Sequence, residues 1–290
     1  MTAPRPLWLL AAPFAFLVFW SLGYSVAKIG LQYTQPMTLL ALRFACVLVV
    51  MGIFFAMLRP PLPKTPADWG HLAFVGFLIQ TIYFGGTYFA FQAGVAAGTV
   101  ALLTSFHPIL LSLVAPRWSG EHVGRLQWVG LVLGLLGAIV VIVGRSSISM
   151  PPVSGLLLCG IGLLGITAGS LWEKRFGLNH HPVTANLIGF AAGFLGIVPA
   201  LFFMDTISVD WTLKFSAALA YLVLVNSVIA VWLLLAMIRA GDVARVSALF
   251  FLVPPLAAFL AIFFLGEPMP PVAWAGMALA AIGVFLAARK

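Results

Sequence analysis

The sequence predicts an all-α integral membrane protein, ten transmembrane helices arranged as two inverted five-helix repeats. Three observations predict it: apolar runs of membrane-spanning length, unequal Lys and Arg content in alternate connections, and an internal repeat at a spacing of 146 residues.

The run lengths come first. Of 290 residues, 63% are hydrophobic and 8% charged, whereas soluble domains hold about 45–50% apolar and about 25% charged residues. Lipid offers no hydrogen-bond partners, so each span must be a helix or part of a closed barrel. Runs of about 20 residues without strict alternation select helices. The spans fall at 7–30, 37–58, 68–92, 97–116, 125–144, 153–174, 183–203, 213–238, 243–265 and 271–288. Turn-forming clusters separate them, such as RPPLPKTP at 59–66 and GEPMPP at 266–271. The first run is read as a retained span, not a cleaved leader.

Charge placement then orients the chain. Eleven of the 15 basic residues sit at the termini and in the even-numbered connections, three in the odd-numbered ones, and Arg43 lies within the second span. The positive-inside rule places both termini in the cytoplasm. The net charge of +8 is dispersed in single residues beside apolar runs, which is the pattern of a protein facing an anionic leaflet, not of a nucleic-acid binder. Cys46 and Cys159 lie inside apolar runs with no metal or redox spacing, so no metal, cofactor or disulfide is expected.

The repeat is carried by residues that shared membrane composition does not explain. A shift of 146 aligns Lys28 with Lys174, Pro36 with Pro182, Phe44 with Phe190, Pro108 with Pro254, Glu121 with Glu267 and Trp128 with Trp274. Polar residues within spans also align, Gln80 with Asn226 and Thr81 with Ser227. The offset covers five helices, an odd number, so residues 147–290 enter the membrane from the side opposite to 1–146. Together they make one transport unit, because inverted repeats permit alternating access.

Pro108…Glu121…Trp128-x-Gly130, repeated as Pro254…Glu267…Trp274-x-Gly276, and Ala41-Leu42-Arg43-Phe44 in the second span together resemble the EamA-type transporters of the drug/metabolite transporter superfamily, over the whole chain. Within that superfamily the similarity points to exporters of aromatic amino acids. The resemblance implies a carrier of the bacterial inner membrane that exports small neutral or zwitterionic metabolites, amino acids included. A broad drug or cation exporter is the alternative it leaves open. Small multidrug exporters of the superfamily use a carboxylate in the first helix, and none stands there. All seven acids lie in loops or at helix ends, which favours facilitated passage through a largely uncharged cavity over proton antiport through a buried acid. No HExxH, GxSxG or paired intramembrane acid supports an intramembrane enzyme.

Candidate substrate-binding residues follow from polarity within spans. Trp20, Tyr24 and Lys28 recur every four residues along one face of the first span, a cavity wall or a packing stripe, with Lys28 snorkelling to the interface. Gln80 and Tyr83, with Asn226 as the repeat mate of Gln80, can bind a polar ligand end or join helices. Trp172 adds aromatic surface facing substrate or lipid. Ser105 and His107 in the fourth span and Ser247 in the ninth lie beside prolines. Pro108, Pro254 and Pro255 are read as hinges within their helices. Arg43 is expected to snorkel to the outer surface, and Glu121 and Glu267 to cap the helix that follows each. Glycines at 130, 134 and 137 are spaced for close helix packing, in a monomer or a weak homodimer.

Overall fold

The computed structural model of the chain describes residues 8–107, 109–110, 113–114, 124–146, 151–176, 180–204, 206–239 and 252–288. Among these residues the elements are all helices joined by turns and extended connections, and no strand forms apart from an isolated bridge between Thr34 and Val209. The elements are α1 (Trp8–Gly30), α2 (Pro36–Leu58), α3 (Pro66–Gln92), α4 (Ala97–Thr104), α5 (Arg125–Ser146), α6 (Val153–Phe176) and α7 (Pro182–Met204). Then come α8, α9 (Val253–Leu265) and α10 (Pro271–Ala288). Helix α8 runs without a break as Leu213–Ala220, a π-helical stretch Tyr221–Ile229, and Ala230–Arg239; α3 carries its own π-helical stretch at Phe77–Tyr83.

Six of these helices are long and apolar enough to cross a membrane, the spans being Ala11–Gly30, Pro36–Leu58, Pro66–Gln92, Val153–Glu173, Pro182–Phe203 and Leu213–Leu233. Trp128–Val141, Val253–Leu265 and Pro271–Gly283 are apolar but shorter. The surface matches a lipid surround: Phe203 is 88% exposed, Leu213 87% and Met57 73%. The interior holds the polar groups, with Ser21, Ser25, Thr87, Thr184 and Ser227 all buried. This is the reverse of a soluble domain, where exposed large apolar patches are small.

Local chemistry sets the helix ends. Helices α2, α3, α7 and α10 begin on proline, whose missing N–H costs nothing in a first turn. Thr65 and Asp68 form a reciprocal capping box on α3, and Thr212 caps α8. Arg59, at φ 44, closes α2 before Pro60, and Gly266, at φ 64, closes α9.

Two expectations about helices change here. The fourth span is broken by a turn at Ser105–Phe106, helix resuming at His107, instead of running unbroken to 116. Thr104 Oγ donates to the carbonyl of Val100 (2.9 Å) and Ser105 Oγ to that of Leu102 (2.7 Å), and such local side-chain bonds compete with the helical ladder. Pro254 and Pro255 sit in the first turn of α9, where a proline fits without breaking a helix. Pro108, Ser247 and Glu121 lie outside the described residues.

Principal packing partners lie in opposite halves of the chain. α2 packs along α7, α5 along α10, and α4 against α9; α1 packs against α8 and α9, and α6 against α3 and α4. The α5–α10 contact is backbone to backbone: a Cβ on Gly276 would stand 2.8 Å from Val141 N, and Cβ atoms on Gly137 and Gly283 would fall on the backbones of Ala280 and Gly134. The glycine spacing therefore serves packing within one chain.

Connections gather at two ends. At one, Asp210 N donates to Tyr33 O (2.9 Å), Thr34 Oγ to Ser208 O (2.7 Å), and Gln92 meets Gln35. At the other, Thr184 Oγ donates to Pro61 O (3.1 Å) and Trp172 Nε1 to His71 Nδ1 (3.2 Å). Lys28 belongs to the first end, and it does not snorkel into solvent. Its Nζ donates to Glu267 Oε1 (2.5 Å) and to Val95 O (3.0 Å), while Glu267 Oε2 accepts from Ala97 N (3.0 Å). Glu267 thus caps α4, a helix of the other half, and not the α10 that follows it. Glu267→Ala is expected to lower the melting temperature of the detergent-purified protein, by the loss of an ion pair and a cap of about 1 kcal/mol each. A Lys28→Glu/Glu267→Lys double swap should recover the pair but not the cap; complete recovery would show that the cap contributes nothing.

Candidate functional site

The two π-helical stretches face each other across the bundle. A π turn places one more residue per turn than an α turn and recurs at functional sites. Here it brings Gln80 and Tyr83 of α3, and Asn226 and Ser227 of α8, to the wall of a cavity of about 230 Å³. Ser227 Oγ donates to Leu222 O (2.8 Å), five residues back, satisfying a carbonyl of the widened turn. Trp20 and Tyr24 of α1, Arg43 of α2, Phe84, Thr87, Tyr88 and Phe91 of α3, and Asn186 and Phe190 of α7 add the rest of the polar and aromatic lining.

Glycines make room for the two amides. A Cβ on Gly23 would meet the side chain of Asn226, and one on Gly193 would meet that of Gln80. Asn226 Nδ2 and Tyr221 Oη both donate to Phe19 O (3.4 and 3.0 Å), which locks α8 to α1. Tyr24 Oη lies 3.1 Å from Thr104 Oγ. Since Thr104 spends its single proton on a carbonyl, Tyr24 is the donor.

Arg43 is the residue that the sequence reading misplaced. It is 2% exposed, enclosed by α3 and α8, and cannot reach the interface. Its Nη1 donates to Tyr88 Oη (2.8 Å), its Nη2 to Asn226 Oδ1 (2.9 Å) and Ser227 Oγ (3.0 Å), and its Nε to Ser227 Oγ (3.2 Å). The guanidinium also lies over the Phe84 ring, 4.6 Å from its centroid. The expected largely uncharged cavity is therefore corrected: one guanidinium stands in its wall. Its depth follows from α2 lying between α7 and α8, so that an inward side chain meets protein and not lipid. The adjacent polar pair Asn226-Ser227, deep in an apolar run, was the signal for a buried partner.

Trp20, Tyr24, Gln80, Tyr83 and Asn226 come together around the cavity; Ser105, His107 and Trp172 do not line it. Ser105 bonds within its own turn. His107 packs on α6 with Nδ1 3.3 Å from Thr167 Oγ and Nε2 3.3 Å from Ser170 Oγ. Thr167 gives its proton to Leu163 O (2.7 Å), so Nδ1–H donates to Thr167 and Ser170 donates to Nε2. Trp172 joins His71, Phe74 and Phe176 in an aromatic cluster at one end of the bundle. Among the described residues no Asp or Glu lines the cavity and no three-residue His, Cys, Asp or Glu group could hold a metal.

A lipid-facing helical bundle around a small polar and aromatic compartment defines the class: a multi-pass membrane transporter. The EamA-like transporter family model matches twice, over residues 6–143 and 153–289, and the chain belongs to that family. It is a transporter, not an enzyme. It is 26% identical to the uncharacterized inner membrane transporter YedA of Escherichia coli K12, covering 96% of this chain and 90% of that one. It is also 26% identical to a probable amino-acid metabolite efflux pump of Salmonella typhimurium, over 93% of this chain and 91% of that one. A solved crystal structure shares the fold with a TM-score of 0.65 at 20% identity, over 98% and 99% of the two chains.

Proposed function

We propose that this chain is an inner-membrane exporter of small metabolites, amino acids and aromatic ones among them, working by alternating access between two inverted five-helix halves, 1–146 and 147–290. The observation that carries it is the central cavity, walled by Gln80 and Asn226 from the two π-helical stretches that match at the 146-residue shift.

Several features support the inverted arrangement. Each packing partnership has a counterpart at that shift: α1 with α8 answers α6 with α3, and α1 with α9 answers α6 with α4. Phe44 and Phe190, themselves repeat mates, meet at 5.5 Å where α2 crosses α7. The family model matching each half in turn supports the same division. The turns at Ser105–Phe106 and at Leu252, after which helix resumes at His107 and Val253, fall at equivalent places, which supports Pro108 and Pro254 as hinge positions at the starts of helices and not within them. Together with the charge asymmetry, the grouping of connections supports ten passes with cytoplasmic termini.

Size and charge favour small metabolites over broad drug export. About 230 Å³ lies below the roughly 300–1,000 Å³ of drug-sized sites, and the cavity offers a lipophilic cation an arginine and no acid. Amino-acid export is supported by the name of the Salmonella relative. Reconstituted into proteoliposomes, the protein is expected to give saturable flux of labelled phenylalanine or leucine without an imposed proton gradient. Flux of lipophilic cations, with none of any amino acid, would overturn the reading.

A further inference from the structure

We infer that Arg43 is the carboxylate receptor of the cavity, so that the solute is recognised by its carboxylate and not by its ammonium group. This rests on the carrier reading above and adds the chemical group that the site reads.

The argument starts from the company Arg43 keeps. A guanidinium withdrawn from water is strongly disfavoured unless it is paired and hydrogen-bonded. Arg43 is 2% exposed, and every bond to it runs to a neutral oxygen: the phenol of Tyr88, the amide of Asn226 and the hydroxyl of Ser227. The only ion pair found among the described residues, Lys28 with Glu267, belongs to the end of the bundle. The positive charge in the cavity wall therefore has hydrogen bonds but, among the described residues, no counter-ion. Four donor contacts are made by five N–H groups, so Nη1 retains a proton for an incoming oxygen. A charged residue deep in a membrane protein marks a solute pathway by default, and the remaining N–H with the guanidinium charge suits one oxygen of a carboxylate.

A purely architectural role fits less well. The position equivalent to Arg43 at the 146-residue shift is Gly189, against which the backbone of Gly76 packs. One half builds this position with no side chain, and the other spends a charge on it. The rest of the lining completes a receptor for a carboxylate on an apolar body. Phe84 covers one face of the guanidinium, Trp20 and Tyr83 supply aromatic wall, and Gln80 Oε1 is buried without a partner. That acceptor can take an N–H from the solute, whether amine or amide.

The test compares solutes that differ in one group. Purified full-length protein in detergent is heated with phenylalanine, N-acetylphenylalanine, phenylalaninamide or phenethylamine. The two carboxylates are expected to raise the melting temperature with at least tenfold tighter apparent affinity than the amide or the amine. Arg43→Gln should erase that preference, and Arg43→Lys should keep part of it. The comparison on the unaltered chain stands even where a variant fails to fold. Equal affinities for acid and amide, no stabilisation by either carboxylate, or an Arg43→Gln protein with the original preference would each overturn the assignment. Uptake by proteoliposomes separates the two readings. Carboxylates that bind without crossing uphold the receptor and sink the carrier; phenylalanine that crosses saturably but binds no tighter than its amide sinks the receptor alone.

Discussion

Gly276→Leu is expected to prevent the chain from assembling into a stable fold, whereas Gly52→Leu leaves stability unchanged or improves it. A Cβ at 276 would stand 2.8 Å from Val141 N and 2.9 Å from Gly137 O. Both obstacles are backbone, so neither can turn aside as a side chain would. α5 and α10 would have to separate along their contact, and the cost is about 3 kcal/mol or more, the upper end of core overpacking. Nothing lies within 4 Å of a Cβ at Gly52, and there leucine gains up to about 1 kcal/mol of helix propensity over glycine. Thermal unfolding of the two variants, followed by size-exclusion chromatography in detergent, measures the contrast. Equal melting temperatures would show that the α5–α10 contact does not hold the fold.

Asn226→Leu should reduce solute uptake by roughly ten- to hundredfold, and Gln80→Leu by roughly tenfold. Leucine is close in volume to the amide, so the cavity keeps its size and loses a polar group. For Asn226 that group is an acceptor of Arg43 and a donor to Phe19 O. Hydrogen bonds to charged groups are worth about 1.5–3 kcal/mol, which sets the range at 1.4 kcal/mol per decade. Gln80 holds an unpartnered Oε1 in the wall, and its loss removes about one ordinary bond to the solute. Trp172→Leu, altered at the end of the bundle, is the comparison and should retain uptake. Initial rates in proteoliposomes, normalised to reconstituted protein, decide it. If Trp172→Leu falls as far as Asn226→Leu, the cavity is not where the solute binds.

How much of this was legible beforehand depends on how many chain segments each feature needs. Span lengths are local: Pro36 and Pro66 announce α2 and α3, and a run of apolar residues does the rest. Gln80 and Asn226 were legible because two distant positions carried the same oddity, an amide within hydrocarbon, in one register. Arg43 was not, because depth and direction are separate facts. Seven residues beyond Pro36 is about 10 Å of helix, which permits snorkelling along the helix or burial across it. Only the presence of Asn226, Ser227 and Tyr88 around it decides between them. His107 and Trp172 failed as cavity residues for the same reason: Thr167, Ser170 and His71, their partners, lie 60 or more residues away in sequence. The π-helical stretches left no trace in hydropathy, since a changed turn width alters no composition. The break after Thr104 had a visible cause, a Thr-Ser pair four residues before a proline, that the run length concealed.

The contact between α5 and α10 also has a mechanical meaning. Neither helix contributes a residue to the cavity wall, yet together they join the halves with no clearance between backbones. Parts that interlock at atomic spacing can tilt about their contact far more readily than they can slide along it, because sliding drives one glycine's neighbour into the next. Under the alternating-access mechanism proposed above, the halves pivot here. Displacement grows with distance from a fulcrum, so on that mechanism the helices that wall the cavity, none of them α5 or α10, move more than the pivot itself. On that mechanism a slight turn at the glycines becomes a wider opening at the cavity.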